Sequence, residues 1–219
     1  AHRRTTPHID ADTDVAALIG AAGHLGPPGG LRPRTYATLL GLLATTGLRI
    51  SEALHLKKSD ANLDRRILTI RETKFRKTRL VPLHPTAVTE LRHYADVRER
   101  LTASCEGDHF FVSDVGQPLP YSTVRTVFCR LCMELRIMGT GLCRPRLHDL
   151  RHTFACRRVE RWYDAGVNLD GAITALSVYL GHAKVSDTYW YLTATPELLA
   201  RAAARFEALA PTLREEVSR

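Results

Sequence analysis

Five short motifs spread from Thr46 to Leu192 must be brought to one place if this chain uses them together. They are TGLRISEAL around Arg49, TKFRKTRLVPL around Lys74, HDLRH at His148 to His152, YLGHAKVS around His182, and SDTYWYL around Tyr191. Together they supply two arginines, two histidines, a lysine and a tyrosine, a set able to surround one phosphodiester group. No single motif is distinctive alone; their joint use demands a fold with long-range order.

The periodicity along the chain is mainly helical, with one interruption. Residues 1–11 carry charge, Pro7 and no period, and read as a linker or a remnant of a preceding domain. DTDVAALIGAA from Asp12 predicts a short helix with an acidic start. After the GPPGG loop, a second helix is expected from Arg34 to Thr45, stopped near Gly47, with another short one opening at Arg49. Between Asp60 and Leu83 the character changes: RRILTIRE and TRLVPL are short β-rich runs flanking the basic TKFRK, which predicts a hairpin or small sheet.

Pro85 suits the first position of a long helix through Leu101. HFFVSD predicts a short strand or buried turn. Helices are expected over Tyr121–Leu135, Leu147–Ala165 and Asp170–Leu180, and a last one opens at Pro196. The expected class is α+β, mainly α-helical with a small antiparallel sheet. Residues 12–210 read as one domain and 211–219 as a tail.

The net charge of +8 and a pI near 9.5 favour a polyanionic partner. Arg71, Lys74, Arg76, Lys77 and Arg79 cluster within nine positions and are candidate DNA-contacting residues. Five cysteines are an odd number, and the C-x-x-C of Cys129 and Cys132 lies in a helical pattern, which points to core packing rather than zinc. A reducing, cytoplasmic, nucleoid-associated protein is expected. No apolar run approaches the ~20 residues of a membrane span. The chain opens on Ala1 rather than Met, so an N-terminal portion is expected to have been removed or left out.

Cleaving a phosphodiester requires an attacking group, neutralisation of the non-bridging oxygens and a proton for the leaving oxygen. Arginine suits the second task, since its planar fork stays charged and binds phosphate bidentately; Arg49 and Arg151 are the candidates. His148 and Arg151 are three apart, so a helix projects both from one face. The HD pair of that motif also allows a metal reading, which would make the protein a chelator-sensitive phosphohydrolase. His182 follows Gly181, where a helix should end, and a plain capping role is open to it. Tyr189 and Tyr191 compete as nucleophile, and Lys74 and Lys77 as proton donor; periodicity does not choose between them.

In order and spacing, the motifs resemble the catalytic domain of the tyrosine recombinases, the phage integrase family, over roughly Asp12 to Arg205. The resemblance implies that Arg49 and Arg151 clamp the scissile phosphate while His148 and His182 hydrogen-bond it and assist proton transfer. It makes Lys74 the general acid, Tyr191 the nucleophile and Glu52 a supporting acid. It further implies a 3′-phosphotyrosyl intermediate on double-stranded DNA, a Holliday junction and a homotetramer on paired sites, with a partner recombinase as a further option. No cofactor, metal or ATP is implied. Members usually carry an N-terminal helical domain, for which only a short stretch stands here. A type IB topoisomerase-like relaxation and a non-cleaving DNA-binding accessory protein are the competing functions.

Overall fold

The computed structural model describes residues 9, 11–71, 78–103, 107–138, 145–192, 200 and 203. They fall into two compact units. The first holds the described residues up to Phe154 together with Tyr179–Gly181; the second holds Ala155–Val178 and the described residues from His182 onward.

In the first unit, α1 (Asp12–Ala22) carries Asp12 and Asp14 in its first turn, where the positive end of the helix dipole favours them. The next helix, α2 (Leu31–Thr46), starts one turn earlier than its periodicity suggests. Pro33 permits this because a first-turn residue needs no N–H donor. Gly47 ends α2 in the left-handed conformation (φ 63°), donating its N–H to Leu43 O. Leu39, Leu40 and Leu43 of α2 are almost fully buried in the unit's core. A single turn, α3 (Ile50–Leu54), follows.

Three antiparallel strands come next, β1 (Ala61–Asn62), β2 (Ile67–Ile70) and β3 (Arg79–Pro82), in that spatial order. The register pairs Leu68 with Val81 and Ile70 with Arg79. Alternation turns Leu68, Ile70 and Val81 inward, all nearly inaccessible. The basic stretch expected to form the hairpin turn, with Lys74, Arg76 and Lys77, lies outside the described residues.

Pro85 opens α4 (Pro85–Leu101), whose Val88, Leu91, Tyr94 and Val97 form the buried stripe. The HFFVSD segment is a buried turn with isolated bridges, Lys57 to His109 and Val112 to Pro118, rather than a fourth strand of the sheet. Phe110 and Phe111 pack there against Tyr94, with centroids 5.7 and 5.2 Å away. In α5 (Tyr121–Glu134), Cys132 is buried and Cys129 partly so; both are free thiols, in keeping with core packing.

The helix α6 (Leu147–Asp164) begins in the first unit. Its later residues Ala155, Cys156 and Val159 are buried in the second. Burial and the charge of Glu160 push the Cys156 thiol up to about 12. The helix α7 (Leu169–Leu180) buries Ile173, Leu176 and Ser177 at helical spacing. A short α8 (Ser186–Tyr189) and a 3-10 turn at Trp190–Leu192 follow. Of the helix expected after Pro196, only Ala200 and Ala203 are described, both helical; the 211–219 tail is outside the described residues. Among the described residues, no helix is long and apolar enough to cross a membrane.

Candidate active site

Arg49 caps α3, and Glu52 stands three residues on. The Glu52 carboxylate accepts from the Arg49 backbone N–H (2.9 Å) and from its guanidinium (2.9 Å). This is the reciprocal geometry of a helix start, in which the third-position acid satisfies an otherwise unpaired N–H. A second guanidinium reaches the same carboxylate from β3: Arg79 Nη1 to Oε1 at 2.9 Å and Nη2 to Oε2 at 2.8 Å, a bidentate fork. Burial pushes the Glu52 pKa up, but the hydrogen bond and charge of Arg79, with those of Arg49, outweigh it. The result lies below the ordinary 4.5, so Glu52 stays ionised between two cations.

The same arginines converge on the end of α7. Arg79 Nε donates to Tyr179 O (2.8 Å), Arg151 Nη2 to Leu180 O (2.7 Å) and Arg49 Nη2 to Gly181 O (3.1 Å). Three consecutive carbonyls, which a helix C-terminus leaves without intrahelical donors, are thus held by three guanidiniums. Arg151 also donates to Gly47 O at 2.8 Å. Gly47 and Gly181 leave room for this: a Cβ at Gly47 would sit 2.5 Å from the Phe154 ring, and one at Gly181 would sit 2.9 Å from Arg79. Arg151 itself is 1% exposed.

At the start of α6 the Arg-x-x-acid device recurs. Asp149 accepts from the Arg146 backbone N–H at 2.7 Å and from its guanidinium at 2.9 Å. The acid of the HD pair is therefore engaged in a helix cap. Among the described residues no three His, Cys, Asp or Glu side chains gather as metal ligands. His148 keeps part of its ring in solvent. Partial desolvation, then the Arg151 charge, pulls its pKa from 6.5 to about 4, so the imidazole is neutral at neutral pH. Its ring meets His152 edge-on at 4.6 Å.

Gly181 is left-handed (φ 67°), and in the second unit the His182 N–H that follows it reaches back to Ser177 O at 3.0 Å, closing α7. His182 Nδ1 is hydrogen-bonded to Thr188 Oγ1 at 2.7 Å, and Thr188 is fully buried. The Tyr191 ring lies nearly parallel to His182, 21° apart with centroids at 6.1 Å. Tyr191 is 2% exposed, whereas Tyr189 is 42% exposed. The pairing with an imidazole therefore falls to Tyr191.

Of the basic residues expected to contact DNA, Arg71 is exposed and ion-paired with buried Asp60. Lys74, the expected general acid, and Arg76 and Lys77 are outside the described residues. Arg79 departs from expectation: its guanidinium points into the protein, with a side chain only 10% exposed. The signal was present in RLVPL. Arg79 shares strand parity with inward Val81 and Leu83, while Leu80 is 60% exposed. Thr188 was also missed, and no local pattern distinguishes a hydroxyl that orients an imidazole six residues away.

A mainly helical domain with a three-stranded sheet, carrying an arginine cluster at a helix C-terminus, defines the class by fold and site. The chain belongs to the phage integrase family, whose model matches residues 14–197. It is 39% identical over 210 residues to the putative integrase/recombinase y4rB of Sinorhizobium fredii, covering 94% of this chain and 67% of that protein. The crystal structure of XerA recombinase superposes with a TM-score of 0.72 at 26% identity, covering 94% of this chain and 66% of that one. The XerH site-specific recombinase, bound to its palindromic difH substrate after cleavage, shares the fold with a TM-score of 0.69 at 22% identity, over 93% and 54% of the two chains. This chain thus spans about two thirds or less of these proteins' length.

Proposed function

We propose that this protein is a site-specific DNA recombinase that cleaves and rejoins double-stranded DNA through Tyr191. In this reading Arg49 and Arg151 hold the non-bridging oxygens of the scissile phosphate, with His148 and His182 hydrogen-bonded beside them. The Tyr191 oxygen attacks phosphorus and its proton passes to one of the two imidazoles. The bond to the 5′ oxygen breaks, Lys74 protonates that oxygen, and a 3′-phosphotyrosyl link remains. Attack by a 5′ hydroxyl of a partner duplex reverses these steps. Two rounds pass through a Holliday junction, carried by a homotetramer, alone or with a partner recombinase. Bond energy stays in the phosphotyrosine, so neither ATP nor metal is consumed.

The observation that carries the reading is the convergence of Arg49 and Arg151 on the adjacent carbonyls of Leu180 and Gly181. In this reading the two guanidiniums at one turn supply the preorganised positive charge that phosphoryl transfer needs. The chain's charge of +8 and the DNA-bound XerH relative add support for the partner.

The test is a covalent adduct on a denaturing gel, using fragmented DNA from the source genome in chelator, with the attachment residue mapped by peptide analysis. Wild type should give an adduct at Tyr191. Tyr191→Phe should abolish it with DNA binding nearly intact, and Tyr189→Phe should retain it. Attachment at Tyr189, or none at all, would refute the assignment.

A further inference from the structure

We infer that Arg79 is a positioning residue for strand cleavage: it sets the geometry of Arg49 through their shared Glu52 and makes no phosphate contact of its own. The inference rests on the recombinase reading and goes beyond it by naming a third arginine with a different task.

Four observations carry it. The Arg79 guanidinium is 10% exposed and aimed inward. Its two Nη atoms bind both Glu52 oxygens at 2.9 and 2.8 Å, and its Nε binds Tyr179 O at 2.8 Å. That uses the guanidinium on both edges and leaves it poorly placed to turn outward. Glu52, 7% exposed, passes the constraint to Arg49, holding both its backbone N–H and its Nη1. Finally, Gly181 packs directly under the Arg79 fork, where a Cβ would come within 2.9 Å. Of the two arginines that share Glu52, Arg49 keeps a third of its side chain in solvent (34%) and Arg79 a tenth, so Arg49 is the one of this pair placed to meet a phosphate.

A long, flexible side chain such as Arg49 loses several rotamers on being aimed. An ionised carboxylate fixed from behind by a bidentate partner bears that cost before substrate arrives. Removing Arg79 leaves Glu52 buried with one cation instead of two, and leaves Arg49 free to swing. The expected signature is a slower chemical step with DNA affinity little changed.

The experiment uses a duplex recovered as an adduct in the genomic trap, and compares wild type with Arg79→Gln, Arg79→Lys, Glu52→Gln and the Arg79→Gln/Glu52→Gln double variant. Circular dichroism first establishes that each is folded. At saturating DNA, Arg79→Gln should slow adduct formation on the order of 10-fold to 100-fold, as loss of preorganisation does. Arg79→Lys, which keeps one bond to Glu52, should fall between and remain readable if the glutamine variant fails to fold. The effect of Arg79→Gln should largely vanish in the Glu52→Gln background, since groups acting in one network are not additive.

The salt dependence of binding separates this from direct contact: losing one phosphate contact lowers the log–log slope by about one, whereas a positioning residue leaves it in place. A slope lowered by one, full additivity with Glu52→Gln, or wild-type cleavage rates in Arg79→Gln would each overturn the inference while the recombinase reading stands. No adduct from wild type would overturn both.

Discussion

Two helix starts in this molecule use the same four-residue device to different ends. At α3 the pair is Arg49 and Glu52; at α6 it is Arg146 and Asp149. In each, the third-position acid accepts from the backbone and side chain of the arginine that opens the helix. The partners differ in exposure: Arg146 is 54% exposed, whereas Glu52 also gathers Arg79, itself 10% exposed. The longer carboxylate reaches a second cation across the sheet edge. One local motif is a cap at α6 and a charge hub at α3, and side-chain length together with tertiary context makes the difference.

The largest effect separating them should come from neutralising each acid. Glu52→Gln strips the counter-charge from two guanidiniums and is expected to lower stability by about 3 kcal/mol, in the range for breaking a buried pair. Asp149→Asn should cost about 1–2 kcal/mol, as for a lost cap. Urea denaturation of the two variants measures this, and equal losses would erase the contrast.

Next in size, Arg146→Ala should cost under about 1 kcal/mol because the side chain is largely in solvent. A loss matching that of Glu52→Gln would make α6 a hub as well. The smallest effect should appear on acidification. Glu52 sits below its ordinary 4.5, so its contribution is present above that pH and is lost as pH falls through its folded value. His148 is drawn down from 6.5 to about 4: the unfolded chain takes up the proton first, so stability declines between those values as pH falls. His148 is exposed, so solvent screening keeps the total loss small. Glu52→Gln should remove the lower part of the profile and leave the upper; His148→Gln should do the reverse.

Much of this was legible in the sequence because it is local. Gly47 and Pro85 punctuate helices through their own backbone limits, and the helical periods of α4, α5 and α7 are set by which side is buried. The arginines, histidines and Tyr191 could be read as a candidate set through their spacing. What escaped was orientation. Arg79 sits in a run of basic residues that reads as one DNA-facing surface, yet strand alternation, which leaves Leu80 exposed, turns Arg79 inward. Glu52 could be read as supporting Arg49, but its bidentate grip on a residue 27 positions away is a product of the β3 register. Thr188 had no signal, since burial of a hydroxyl against an imidazole depends on how the turn after α7 closes.

The arginine cluster also has a charge balance with a direction. Among the contacts described above, three guanidiniums, Arg49, Arg79 and Arg151, stand against one carboxylate, Glu52, so these four side chains by themselves sum to two positive charges. A phosphodiester at rest has one negative charge, and the five-coordinate phosphorus formed during attack has two. On the proposed reaction, the field left over after Glu52 is satisfied matches the fleeting species better than the resting one. A site so biased binds its substrate loosely relative to its transition state, which is the condition for binding energy to appear as rate.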